Sequence, residues 1–297
     1  MKRKWLIFDM SNLAWRAHYS TGQMSFNDNP TGVLYGVLRE IRTCMAKFRT
    51  DDCVFCFDSG KSYRAEYYPW YKESRQKRKV TENEEQQLLN CRTQIDQLKD
   101  THLHQIGFDN VLLKRGYEAD DIIASVCFNL GRGESAVIVT GDEDLYQCLR
   151  HKRVNVYHPA KREEVTAEGF QIQYGIRPEL WPKVKAIAGC KSDDVPGVGG
   201  FVGEKTACQY LAGKEVSEKK AQRIRQEAKR VEENLKVVTL PYPGTPVFDL
   251  IPDCKIDRRA WENLMDELGF TTLKDQDMRG GWLPVRGPDA IRKELKR

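Results

Sequence analysis

The chain has 297 residues, 40% of them hydrophobic, which allows one large domain or two modest ones and argues against a disordered or miniature scaffold. Its formal net charge of +5 is too small to name a partner, so the placement of charge matters more than its sum. No apolar run approaches the roughly 18 residues of a membrane span, and MKRKWLIFDMSN reaches Asp9 after four apolar residues, too few for a secretion signal. Nine cysteines, an odd number without metal-binding spacing, suit a reducing compartment, so a cytoplasmic protein with no membrane partner is expected.

The first expected strand, WLIFD, ends at Asp9, and the second, CVFCFD, ends at Asp58. Cys53 and Cys56 form a CxxC inside that second run and read as buried thiols rather than a redox pair. A later run, AVIVTGDED, ends at Asp142 and Asp144. Continuous apolar runs of this length suit strands buried on both faces of a parallel sheet, with helical crossovers between them. Ligands collect at the carboxyl ends of such strands, so these aspartates would share one edge.

NVLLK is a further expected strand, and GYEADDIIASV after it opens an amphipathic helix with Ala119, Ile122, Ile123, Val126, Cys127 and Leu130 on one face. Glu118, Asp120 and Asp121 fall in its first turn, where the helix dipole alone would favour one or two acids. Singly, an aspartate at a strand end is a turn former or a cap. Together the carboxylates would face one another and raise each other's pKa values unless cations neutralised them. Oxygen-only ligands select Mg²⁺ or Mn²⁺, and a carboxylate-held metal pair serves in-line displacement at phosphorus. A phosphodiester is therefore the expected substrate. No histidine cluster or nucleophile elbow supports zinc hydrolysis or serine chemistry.

Between Asp58 and that helix lies a basic segment carrying Lys61, Arg64, Lys72, Arg75, Lys77, Arg78 and Lys79 among Tyr63, Tyr67, Tyr68, Trp70 and Tyr71. Basic groups hold phosphates and aromatic faces stack on unpaired bases, a combination suited to single-stranded nucleic acid, although a charge run is more often a solvated face. Residues 82–100 are polar with sparse apolar positions, as expected of a helix projecting from the body and only partly packed. Further on, GCKSDDVPGVGGFVGEKTACQYL supplies a glycine-rich hairpin opening onto a helix near Glu204, where backbone N–H groups and Lys205 can meet a phosphate. It lacks P-loop spacing. SEKKAQRIRQEAKRVEENLKVV reads as one charged, solvated helix.

LIFDMSNLAWRAHY, FDSGKSYRAEYYPWYKESR, GYEADDIIASV, VTGDEDLYQCL and AIAGCKSDDVPGVGGFVGEKTA resemble, in order and approximate spacing, the 5′ nucleases: flap endonucleases, free-standing bacteriophage 5′–3′ exonucleases and the N-terminal nuclease domain of bacterial DNA polymerase I. The resemblance covers about residues 4–240. It implies an α/β fold, with a PIN-like parallel-sheet nuclease core over residues 1–165, a helical arch over about 62–105, and a helix-hairpin-helix module over 166–240 gripping duplex DNA. Residues 241–297 would be a C-terminal helical extension. The resemblance further implies two Mg²⁺ or Mn²⁺ ions, the first shaped by Asp9, Asp58, Glu118, Asp120 and Asp121, the second by Asp142, Asp144 and Asp193. Lys72 and Arg75 match the family's basic pair at the scissile phosphate. Arg16, Arg64, Lys77, Arg78, Lys79, Gly197, Gly199, Gly200, Gly203 and Lys205 are the implied DNA contacts, with K⁺ a candidate ligand of the hairpin. The implied substrate is DNA with a free 5′ end, as a flap or an RNA-primed end, acted on by a monomer that works with a replication clamp or single-strand-binding protein, in the host cytoplasm if the chain is of phage origin.

Two positions depart from the family pattern. Cys190 stands where an aspartate is usual, which predicts a weaker second ion because a neutral thiol is a poor magnesium ligand. GVGGFVGEKTA is one residue longer than the usual hairpin, which bears on the monovalent cation site. Rival readings are a PIN-type ribonuclease, needing neither arch nor hairpin, and a branched-DNA-binding protein with weak catalysis. Past residue 240 come a proline-punctuated connector, a short amphipathic helix at DRRAWENLMDELGF, and the basic tail DAIRKELKR, best read as solvated.

Overall fold

A computed structural model describes residues 3–253 and 256–274; the basic tail lies outside the described residues. Its centre is a six-stranded sheet in the order β5-β4-β1-β6-β7-β8. The strands are β1 (Lys4–Asp9), β4 (Cys53–Phe57), β5 (Val111–Leu113), β6 (Ser135–Val139), β7 (Val154–His158) and β8 (Glu163–Val165), while β2 (Ser25–Phe26) and β3 (Asn29–Pro30) form a separate small hairpin. All sheet pairings are parallel except β7 with β8. This is the expected α/β class, with a parallel sheet carrying one antiparallel edge strand.

The apolar runs are strands because the sheet is covered on both faces. Along β1, Leu6 and Phe8 enter one core layer with Phe55, Met10, Val37 and Trp261, while Trp5 and Ile7 enter the other with Ile122, Ile138, Trp181 and Ile187. Phe8 stacks on Phe55 at 5.2 Å between ring centroids, and Phe55 meets Phe108 edge-on at 4.8 Å. Each such ring contributes about 1.5–3 kcal/mol by leaving water. Cys53 and Cys56 fall in opposite layers, so the CxxC consists of two buried thiols facing away from each other.

The registry places the functional edge. Phe8 pairs with Val139 on one side, and Asp9 pairs with Cys56 on the other. The chain runs from β1 outward to β4 and β5, then crosses back to β6 and β7, so the order reverses between β1 and β6. A crevice at the carboxyl ends of two such strands is where open α/β sheets bind ligands. Asp9 ends β1 there, and Thr140 to Asp144 follow β6.

Two expectations about organisation change and one is refined. The helix Glu82–Gln97, opened by reciprocal Thr81 and Glu84 hydrogen bonds, is only partly packed as expected: its first half projects, while Cys91 and Gln94, and Leu98 just beyond it, are buried against the core. Gln94 Oε1 accepts the N–H groups of Val33 and Leu34, a tie its polar sequence did not reveal. Residues 218–238 form two helices, Glu218–Gln226 and Ala228–Val238, which bury Ala221, Ile224, Asn234 and Val237. The helix Arg258–Glu267 inserts Trp261, Leu264 and Met265 into the core layer that holds Phe8 and Phe55, so it is a piece of that core rather than an appendage. Among the described residues, no helix is long and apolar enough to cross a membrane.

Candidate metal centre and nucleic-acid interface

Asp9 is nearly buried where β1 passes into the helix Met10–Thr21, and its two oxygens are both engaged. Oδ1 accepts the Asn12 N–H at 3.0 Å, and Oδ2 accepts the Thr140 hydroxyl at 2.7 Å, a bond that spans the β1–β6 reversal point. The Asn12 side chain in turn accepts the Gly141 N–H at 2.9 Å. Asp58 accepts the Ala119 N–H at 2.7 Å, which fixes the start of the helix Ala119–Phe128 to the end of β4. Asp142 accepts the Asp144 N–H at 2.8 Å.

Four carboxylates, Asp9, Asp58, Asp120 and Asp142, have no salt bridge among the described residues. Burial, then the charges of Asp58 and Asp142, pushes Asp9 up to about 7. Burial also drives Asp120 well above the carboxylate range, reinforced by Asp142, Asp9 and Asp58, and brings Asp142 up to about 6 with help from Asp144. Groups that repel one another this strongly in a polar crevice form a site that wants a cation.

The remaining acids meet cations of the chain itself. Glu118 accepts from Lys72 Nζ at 2.9 Å and from the Tyr71 hydroxyl at 3.0 Å. Burial opposes its ionisation, yet Lys72 and Arg64 hold its pKa below the usual value. Asp193 pairs with Arg75 at 2.7 Å and Asp144 Oδ1 lies 3.0 Å from Lys185 Nζ. That contact is not aligned as a hydrogen bond, leaving Asp144 Oδ1 buried without a hydrogen-bond partner. One donor atom each from Asp144, Cys190 and Asp193 lie within 4.8 Å of one another. Cys190 Sγ also contacts Ser192 Oγ at 3.0 Å, and burial raises its thiol pKa.

Two residues with implied site roles are engaged by the fold itself. Asp121 is fully buried and is gripped by Arg64 at 2.5 and 2.6 Å, and it also accepts the N–H groups of Tyr242 and Glu118. Both of its oxygens are thus occupied by donors of the chain. Arg64 is 2% exposed and spends its third nitrogen on the Val237 carbonyl, so it holds the fold together instead of contacting DNA. A third role is qualified: Gly197 is glycine because a Cβ there would lie 2.2 Å from the Ala188 carbonyl oxygen, so its need is close packing.

The basic segment does span the crevice. Lys72 donates its N–H to the Asp193 carbonyl at 3.0 Å, Ser74 donates to Asp194 at 2.8 Å, and Arg75 Nε donates to the Ser192 carbonyl at 2.9 Å. Lys72 and Arg75 thereby stand over Glu118 and Asp193, between the acidic groups. Lys77 and Arg78 are exposed, each paired with a glutamate, and Lys79 is exposed beyond them. Arg16 is partly exposed and pairs with Glu40 at 3.2 Å. In the glycine hairpin, Gly199 and Gly200 take positive φ angles, as does the exposed Phe201, and Gly203 precedes the helix Glu204–Leu211 with open space around it and Lys205 at its second position. Sequence reading missed Thr140 and Lys185, a lysine on the apolar face of WPKVKAIAG being the one available signal for the latter, and it took Tyr71 as a base-stacking ring where the side chain is buried and bonds Glu118.

A carboxylate crevice at the sheet reversal, bridged by a basic segment and followed by a glycine hairpin, is the architecture of the 5′ nuclease class. The chain belongs to the 5′-3′ exonuclease family, whose N-terminal resolvase-like domain matches residues 4–175. It is 31% identical over 214 residues to the 5′-3′ exonuclease of Buchnera aphidicola, covering 71% of this chain and 70% of that protein. It is 30% identical over 287 residues to the thermostable DNA polymerase I of Thermus thermophilus, 92% of this chain but only 33% of that polymerase's length. Its fold is similar, with a TM-score of 0.68 and 21% identity, to bacteriophage T5 D15 flap endonuclease solved with DNA and metal ions, over 80% of this chain and 90% of that one.

Proposed function

We propose that the chain is a metal-dependent 5′ nuclease that hydrolyses a phosphodiester in DNA with a free 5′ end, at flaps and RNA-primed ends, in replication or repair. The observation that carries this reading is the set of four clustered carboxylates without a salt-bridge partner, the buried Asp9, the partly buried Asp120 and Asp142 and the exposed Asp58, drawn from three strand ends and one helix start. Such a set fits Mg²⁺ or Mn²⁺, both hard cations that take oxygen ligands. Asp9, Asp58 and Asp120 would hold the first ion, with Glu118 acting through water, and Asp144 and Asp193 the second, with Asp142, implied for the second ion, standing between the two groups because its charge acts on Asp9 and Asp120 as well as facing Asp144 and Asp193. The bound ions would supply an activated water and stabilise charge on the phosphate.

The chain's own groups do the rest. Lys72 and Arg75, now held by Glu118 and Asp193, turn to the non-bridging oxygens of the scissile phosphate, where charge develops. Lys77, Arg78 and Lys79 hold the single-stranded 5′ end by its phosphates, with Arg16 beside the crevice. Gly199, Gly200, Gly203 and Lys205 hold the duplex, with K⁺ as a ligand of the hairpin. The modules are a nuclease core over residues 1–165 with its arch at about 62–105, a duplex-binding unit over 166–240 and a C-terminal segment over 241–297 whose helix Arg258–Glu267 packs back into the core, in a monomer working alongside a clamp or single-strand-binding protein.

Cleavage of a 5′-labelled flap in Mg²⁺, with chelator as control, tests the reading. Release of a flap oligonucleotide only with the metal is expected. Binding without cleavage in either Mg²⁺ or Mn²⁺ would instead favour a branched-DNA-binding protein, and cleavage confined to single-stranded RNA would favour a ribonuclease.

A further inference from the structure

We infer that Lys185 is a built-in cation of the second carboxylate group, which competes with a divalent ion for Asp144 and links that group to the glycine hairpin; the inference rests on the metal-dependent reading above. Lys185 lies on the helix Trp181–Ala188 with its side chain buried, its ammonium 3.0 Å from Asp144 Oδ1 and 2.9 Å from Glu204 Oε1, above the ring of Trp181. Glu204 is the first residue of the helix that follows the hairpin. One lysine therefore bridges a candidate metal ligand and the start of the duplex-binding helix.

The charge inventory shows why this matters. In the second group, Asp144 faces Lys185, Asp193 faces Arg75, and the third donor is the sulfur of Cys190, in contact with Ser192. Two carboxylates already meet two cations of the chain. In the first group, four carboxylates meet none. An incoming ion is drawn to the first group, and a second ion gains Asp144 only as Lys185 gives it up and turns wholly to Glu204. A buried ammonium cannot be left without a carboxylate, so Glu204 is what makes that exchange tolerable. Occupancy of the second site and the position of the hairpin helix are thus coupled through one side chain.

The test is a titration of the full chain with Mn²⁺, read by calorimetry and by the electron paramagnetic resonance of free Mn²⁺, which needs neither DNA nor cleavage. Wild type is expected to show one tight ion and one weak ion, with Asp120→Asn removing the tight one. Lys185→Met should tighten the weak ion by about tenfold or more, since a like charge a few ångströms away is removed, while the tight ion changes little. Glu204→Gln should do the reverse, weakening the second ion several-fold because Lys185 is left with Asp144 alone. An unchanged or weaker second ion in Lys185→Met would overturn the inference. Should that variant not fold, as judged by circular dichroism, an unchanged or tighter second ion in Glu204→Gln would do so. The expected titrations in a chain that fails to cut flaps would sink the nuclease reading alone, whereas normal cutting with the wrong titrations would sink this one alone.

Discussion

Arg64 closes on Asp121 with two nitrogens, at 2.5 and 2.6 Å, in a place shielded from solvent on every side. Asp121 also receives the Tyr242 N–H, and Arg64 also reaches the Val237 carbonyl, so the pair fastens the segment around residues 237–242 to the helix Ala119–Phe128. Removing one partner strands the other as a buried charge. Arg64→Ala or Asp121→Asn should therefore cost about 3–5 kcal/mol of stability, read as a lowered urea midpoint. The salt dependence of flap binding should not move, and a shallower salt slope in Arg64→Ala would restore that arginine to the DNA interface.

Asp120 has the opposite environment, a partly buried carboxylate amid Asp142, Asp9 and Asp58 with no salt bridge among the described residues. Asp120→Asn should keep the fold and lower the cleavage rate by on the order of a thousandfold, with loss of the tightest Mn²⁺ in a titration. Retention of both would mean that these acids are a structural network.

The same repulsion gives the metal-free chain an unusual pH dependence. Asp9 titrates from an ordinary 3.8 when unfolded and from about 7 when folded, so its favourable contribution is complete below pH 4 and is lost as pH rises through about 7. Asp142, raised to about 6, acts in the same direction. In chelator, Asp9→Asn should melt at the same temperature as wild type near pH 4 and higher by about 3 °C or more at pH 8. Mg²⁺ should protect wild type more at pH 8 than at pH 5. A melting difference that does not grow with pH would show that the carboxylates do not strain one another.

Cys190 puts a sulfur beside Asp144 and Asp193, where a third carboxylate would complete an oxygen site. Cys190→Asp should tighten the second Mg²⁺ by about tenfold, seen as cleavage saturating at lower Mg²⁺. If the metal dependence does not change, Cys190 lies outside the site in solution.

Lys77, Arg78 and Lys79 follow Lys72 and Arg75 in the chain and are exposed. Replacing all three with alanine should reduce the salt slope of 5′-flap binding by about 2, the value for three single-strand phosphate contacts, while duplex binding is preserved. An unaltered slope would make them a solvated face.

The legible part of this molecule was local. WLIFD, CVFCFD and AVIV had to be strands because runs that apolar need cover on both faces, and Glu118 and Asp120 had to open a helix because the Ile122, Ile123 and Val126 face follows at once. Even the shared edge could be read, since parallel strands point the same way and their terminal aspartates therefore meet. Arg64 and Asp121 were misread for the same reason, because residue type and motif position describe a side chain's chemistry but not the neighbour it finds across the fold.

Tertiary structure decided which charges were spent. Asp9, Asp120 and Asp121 are alike as letters, yet one lies at a reversal between two strands, one among other acids, and one beneath an arginine. Coulomb energy depends on separation and on how much water remains between the groups, and neither quantity exists until β1, β4, β6 and the helices after them have packed. The amino-acid order carried the supply of carboxylates and cations; only the packed chain determined that Lys185, Arg64, Lys72 and Arg75 would pair with Asp144, Glu204, Asp121, Glu118 and Asp193 and leave Asp9, Asp58, Asp120 and Asp142 without a salt bridge.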